Sequence, residues 1–244
     1  MGLDFNGEIN PTSLGQHRWI LIATNYFTKW VENVPTRQET DVVIIEFLLN
    51  NIMSRFGCPR KIVMDNAKAF TSSKLVKFYS DYNIILSHST TYYPQGNGLD
   101  ESSNKSLIGI IKKLLGENKK AWNAKLKFAL WADRVSTKKS IGTSPFQLVY
   151  GTDAIFPASL GSLVMKYLQE QDTESNPLQR RINQIVEVQQ IRDQVADKSL
   201  VFQDKVKKVF DRKAKPDDFQ QGDLVLKWDA RHQHKGKHGK FEHL

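Results

Sequence analysis

The sequence predicts an α/β layered domain over roughly residues 1 to 150, with a mixed sheet flanked by helices. Three observations carry that expectation. Short apolar or β-branched runs such as "WILIAT" and "KIVM" lead the chain, within its first hundred residues. Segments with helical spacing alternate with these runs and then follow them. Hydrophobic content is 40% and charged content 25% over 244 residues, a globular balance long enough for one or two domains.

The elements follow in order. "GLDFNGEI" alternates, with Leu3 and Phe5 on one face and Asp4 on the other, and begins as a strand. "RWILIATNYF" reads as a buried strand, and "KWVENVP" as a third closed by Pro35. "ETDVVIIEFLLNNIMSRFG" is a helix in which Val43, Phe47 and Ile52 fall near helical spacing, and Gly57–Cys58–Pro59 ends it. "KIVMD" is a short strand ending in Asp65, "SSKLVKFYSDY" a helix and "NIILSHS" a strand. After the glycine-bearing loop "YYPQGNG" come helices over about 99–115, 121–137 and 145–150.

The first domain therefore spans 1–151. Residues 152–176, rich in Gly, Pro, Ser and Asp, read as a linker. Residues 177–214 turn amphipathic, with Leu178, Ile182, Ile185, Val188, Ile191 and Val195 stepping by three and four. That stripe suits packing on its own domain or against another subunit, equally. Residues 215–244 contain "FQQGDLVLKWDA", a turn and an alternating strand, and end in a His- and Lys-rich tail that suits a basic loop better than a metal site.

Charge narrows the partner. The formal net charge is +9 and the isoelectric point about 9.5, which favours a polyanion, nucleic acid before membrane. Ten Lys or Arg stand between Lys105 and Lys139 against only Glu117 and Asp133, a local charge of +8. A single cysteine, Cys58, excludes an internal disulfide framework; in "RFGCP" it reads as a small core residue of an intracellular protein. The longest apolar runs are too short to span a bilayer, and the N-terminus shows no secretion signal.

Against that basic background, three acids stand at the ends of predicted elements: Asp4 on the first strand, Asp65 ending a strand, and Glu101 opening a helix, with 35 residues between the last two. Brought together alone they would repel, and each pKa would rise. Divalent cations reverse that, because Mg²⁺ takes hard oxygen ligands shared with phosphate. Two such ions about 3.5–4 Å apart suit an in-line displacement at phosphorus. Spacing by itself is a weak signal in a chain with 26 acids.

The local contexts are more specific. "LDFNGEINPTS", "WILIATNYFTKWVENVP", "SRFGCPRKIVMDNAKAF", "STTYYPQGNGLDESSNKSL", "FALWADR", "GTSPFQLVYGTDAIFP" and "FQQGDLVLK" occur in order along nearly the whole chain. In these stretches the sequence resembles the integrase of gypsy-type LTR retrotransposons, related to retroviral integrases. The resemblance implies an RNase H-like integrase catalytic core, a helical segment and an incomplete C-terminal small β-barrel. It implies a catalytic, metal-binding triad of Asp4, Asp65 and Glu101 holding two Mg²⁺ or Mn²⁺ ions. Glu101, three residues after Gly98 in "N-G-x-x-E", is then the ligand, and Asp100 a first-turn helix charge. Asn104 and Lys105, one turn on from Glu101, with Lys112 and Lys113, are the candidate DNA contacts.

The implied activity is DNA 3′-end processing and strand transfer in the nucleus, by a homo-oligomer. Ala67 stands where relatives usually have glycine in D-N-G, and Asn25 where an aspartate is common. The family's N-terminal His/Cys zinc module is missing, so the expectation is a fragment of a Pol polyprotein. The rival reading is an inactive nucleic-acid-binding or assembly remnant that keeps the fold. A plain RNase H-like nuclease is disfavoured by "YPQGNG" and "GDLVLK".

Overall fold

The computed structural model describes residues 1–64, 68–88, 98–155 and 176–213. Its centre is a five-stranded mixed sheet. The strands are β1 (Gly2–Asn6), β2 (Trp19–Thr24), β3 (Val31–Thr36), β4 (Lys61–Met64) and β5 (Ile85–His88), in the order β3-β2-β1-β4-β5. β1, β2 and β3 form an antiparallel meander, with Asp4 opposite Ile22 and Ile20 opposite Pro35. β4 and β5 are parallel to β1, Gly2 lying opposite Val63. β1 is thus the central strand, and a side chain on it is flanked by neighbours on both sides.

The period-2 pattern divides the sheet into two cores. On one face Leu3, Leu21, Ala23, Ile62 and Met64 pack with Ile44, Phe47, Leu48, Leu75, Phe78 and Tyr79 from α1 (Asp41–Phe47), its continuation and α3 (Ser73–Asp81). On the other, Ile20, Ile22 and Val31 meet Leu107, Ile111 and Leu115 of α4 (Gly98–Leu115) and Trp122, Leu126 and Ala129 of α5 (Trp122–Val135). Each fully buried aliphatic side chain contributes about 1.5–3 kcal/mol, which makes these two layers the main support of the sheet.

Local signals set the helix ends. Thr40 caps α1 by accepting from the Val43 amide, and Ser72 caps α3 through the Leu75 amide. The helix begun by α1 continues as a π-helical stretch, Leu48–Met53, and closes in α2 (Ser54–Phe56) at Gly57, whose φ is +84°. α6 (Pro145–Tyr150) carries Ser144 as its cap, Pro at its first position and Gly151 beyond its end. Gly151 has a φ of +73°, and a Cβ there would meet Val188 Cγ2 at 2.9 Å. Glycine is therefore required twice, for the turn and for the approach of α7 (Pro177–Lys213).

Several boundaries differ from expectation. β2 ends at Thr24, where the Asn25 side chain accepts from the Phe27 and Thr28 amides and turns the chain. Pro35 lies inside β3 rather than closing it, which is tolerated because β3 is an edge strand with a partner on one side only. Cys58 is exposed, not a core residue, because Gly57 turns the chain outward before β4. α7 seats Val195, Ile191 and Val188 near α6, with Val195 buried against Ile141 and Leu148, while Leu178, Ile182 and Ile185 stay exposed. Most of the expected linker (156–175) and all of the expected barrel start (215–244) lie outside the described residues. Among those described, no helix is long and apolar enough to cross a membrane.

Candidate active site

Asp4 stands at the middle of the central strand, on the face opposite Leu3. The helix above it is α4. Asn104, 6% exposed, donates from Nδ2 to Asp4 Oδ2 at 2.6 Å, across 100 residues of sequence. The short distance is that of a charge-assisted bond to a carboxylate. Asn104 Oδ1 is also buried and has no hydrogen-bond partner among the described residues. A buried, unsatisfied carbonyl oxygen costs free energy unless something else meets it.

Asp4, Asn6, Asn104, Lys105, Ile108, Gly109 and Lys112 line one open groove of about 450 Å³. Lys105 and Lys112 are seven residues apart on α4, two helical turns, so both cations border the groove holding the Asp4 carboxylate. The groove combines an anionic floor with a cationic flank. It suits a ligand that is anionic outside and carries a cation at its reacting end.

The expected site residues fall into three groups. Asp4, Asn104, Lys105 and Lys112 converge on the groove. Lys113, the next residue along α4, is exposed and does not line it. Asn104 faces Asp4 and is buried, so its position is that of a support for the carboxylate rather than a surface contact. Asp65 follows the last residue of β4 and lies outside the described residues. Glu101 lies in the first turn of α4, one turn before Asn104; its side chain, like that of Asp100, is outside the described set.

The basic segment is less free than its sequence implies. Arg134 reaches back to β3: it donates from Nε and Nη2 to the Val31 carbonyl at 3.0 and 2.7 Å and pairs with Glu32 at 2.8 Å. Its guanidinium lies 4.2 Å from the Trp30 ring centroid. Burial pushes its pKa down, and the Glu32 carboxylate pulls it back up. Glu32 is 3% exposed and also takes Arg55 at 2.8 Å and the Trp30 indole N–H at 2.9 Å. Lys138 pairs with Asp133. Two of the ten cations between Lys105 and Lys139 thus hold the fold. The sequence offered no signal for Glu32, one acid among 26, because its partners come from the residue before β3, from α2 and from α5.

A mixed sheet between two helical layers, with its central-strand acid facing a basic helix, defines an RNase H-like core. Residues 4–94 match the family described as integrase core domain, and the chain is similar to retroviral Pol polyproteins. The chain is 33% identical over 149 residues to the Gag-Pol polyprotein of avian reticuloendotheliosis virus, covering 61% of this chain and 13% of that protein. It is 29% identical over 234 residues to the Pol polyprotein of radiation murine leukemia virus (strain Kaplan), covering 96% of this chain and 38% of that protein. The chain thus spans only a small part of these relatives.

Among solved structures it is similar to a chain of the simian T-cell lymphotropic virus intasome in complex with PP2A regulatory subunit B56 gamma. The TM-score there is 0.54 at 20% identity, covering 72% of this chain and 57% of that one. It is likewise similar to the catalytic core domain of BIV integrase, with a TM-score of 0.50 at 20% identity over 68% of this chain and 96% of that one. At such identities the likeness concerns the fold.

Proposed function

We propose that this chain is the integrase of a gypsy-type LTR retrotransposon, part of a longer Pol polyprotein. It trims DNA 3′ ends and joins them to target DNA in a divalent-metal-dependent reaction. The observation that carries the reading is the central-strand carboxylate of Asp4, hydrogen-bonded by Asn104 from a helix whose Lys105 and Lys112 border the same groove.

The residues present fit a hard cation. Asp4 supplies a carboxylate, and the orphaned Asn104 Oδ1 adds a buried oxygen beside it. Asp65, next in sequence after β4, the strand parallel to β1, is the second acid of the reading. Glu101, one turn before Asn104 on α4, supplies the third acid of the reading. Asp4, Asp65 and Glu101 would hold Mg²⁺ or Mn²⁺, two ions in the full site, which when bound activate the attacking hydroxyl and offset charge on the leaving oxygen.

The protein's own groups do the rest. Asn104 holds Asp4 in one rotamer. Lys105 and Lys112 neutralise backbone phosphates flanking the reacting one, with Lys113 further along the exposed face of α4. Contacts of that kind read the DNA backbone, so target choice is largely blind to sequence. Exposed Leu178, Ile182 and Ile185 on α7 suit a contact between copies in a homo-oligomer acting in the nucleus.

The test is Mn²⁺-dependent nicking and strand transfer by the purified chain on duplex DNA carrying the element's ends, with Asp4→Asn as the blank. Cleavage lost in Asp4→Asn supports the reading. Tight, salt-sensitive DNA binding with no cleavage by either protein would sink it in favour of an inactive binding or assembly remnant.

A further inference from the structure

Asp133 sits in "FALWADR", a stretch with no part in the chemistry above, yet it is 1% exposed. Ser106 of α4 donates to its Oδ1 at 3.2 Å, and Lys138 pairs with the same oxygen. We propose that Asp133 is a positioning residue for the site: through Ser106 it fixes the rotation of α4 and so holds Asn104 against Asp4. The activity part of the inference rests on the proposed phosphodiester chemistry; the geometric part does not.

Helix geometry supplies the reason. Ser106 follows Asn104 by two residues, about 200° around the helix. α4 is therefore pinned on two opposed flanks, by Asn104 to the central strand and by Ser106 to α5. Leu107, Ile111 and Leu115 hold the helix down, but apolar contact is non-directional and tolerates small rolls. A hydrogen bond has a preferred angle and distance, and two of them on opposite sides leave no roll that satisfies both.

Asp133 is itself fixed. Lys138, whose side chain offsets the buried charge, is tied by its amide to the Thr143 carbonyl at 2.9 Å, and its carbonyl accepts from Ile141 and Gly142. The next residue, Arg134, bonds the Val31 carbonyl on the edge strand. The linkage closes on itself: sheet, Arg134, α5, Asp133, Ser106, α4, Asn104, Asp4 and the sheet again. A buried carboxylate is costly to keep for stability alone, and a fixed geometry is a reason to keep it.

The test uses Ser106→Ala in the full chain. Ser106 is exposed and alanine is the better helix former, so the fold survives and the Asp133–Lys138 pair stays. Two readouts are needed: the NMR resonances of the Asn104 side-chain amide, and the Mn²⁺ concentration giving half-maximal nicking. The expected result is a shifted Asn104 amide and a half-saturation raised roughly three- to tenfold, the range of one net hydrogen bond, with the melting temperature lowered by no more than a few degrees. Ser106→Thr, which keeps the hydroxyl, restores both. An Asn104 amide that does not move in Ser106→Ala overturns the proposal. If the unmutated chain does not nick at all, the proposed function fails, and the amide resonances alone still decide this inference.

Discussion

Asn104 Nδ2 and Asp4 Oδ2 lie 2.6 Å apart, the direct tie between the basic helix and the central strand. A hydrogen bond to a charged partner is worth about 1.5–3 kcal/mol, and a site carboxylate that changes rotamer loses its geometry as well. Asn104→Ala should therefore lower Mn²⁺-dependent nicking by roughly tenfold or more and destabilise the fold by about 1–3 kcal/mol. Urea unfolding and a plasmid nicking assay check the two effects separately. Unchanged nicking would mean that Asp4 needs no support from α4.

Asp65→Asn and Glu101→Gln should each abolish metal-dependent cleavage, while Asp100→Asn largely spares it. The 35-residue spacing and the N-G-x-x-E context motivate the assignment. Comparable damage from Asp100→Asn and Glu101→Gln in one nicking assay would show that the third ligand has been misassigned.

Glu32→Ala removes the shared acceptor of Arg134, Arg55 and the Trp30 indole. Breaking a buried pair by removing one partner costs about 3–5 kcal/mol, because the other charge is left unpaired. Arg134, 15% exposed in its side chain, is the charge left behind; Arg55, at 41%, rehydrates easily. A drop of that size in urea-unfolding free energy is expected, and a loss under 1 kcal/mol would show that water solvates the Arg134 head.

His17 should make stability pH-dependent. Burial first, and the Arg37 charge second, hold its pKa below the ordinary 6.5. The unfolded chain then binds the proton more readily than the folded one, so this contribution is complete above pH 6.5 and drains as the pH falls through that value towards the folded pKa. The neutral ring is also the one whose Nδ1 can accept from Ser13 Oγ, 3.0 Å away. His17→Gln should flatten the fall in melting temperature between roughly pH 7 and 5. The same slope in both proteins would place the acid sensitivity elsewhere.

The strands and helices of the core were legible in the sequence because their signals are local. Alternation marked Leu3, Asp4 and Phe5 on β1, and Gly57, Ser144, Pro145 and Gly151 punctuated helices by their own backbone preferences. Less legible were places where a long-range contact overrides a local rule. Pro35 reads as a stop, and only the sheet order shows that β3 is an edge where proline fits. Cys58 reads as core by residue type, and the turn at Gly57 exposes it.

By itself, the sequence determined the α/β alternation, the basic segment from Lys105 to Lys139 and the residue types available for a metal-assisted reaction, because composition, periodicity and spacing reside in the chain. The tertiary structure decided which of those residues act together. Asn104 looked like a surface contact and is the buried support of Asp4. Arg134 and Lys138 looked like part of a DNA-facing run and are held by Glu32 and Asp133. Hydrogen bonds and ion pairs depend on distances of about 3 Å between side chains that are up to a hundred residues apart, and only packing sets those distances.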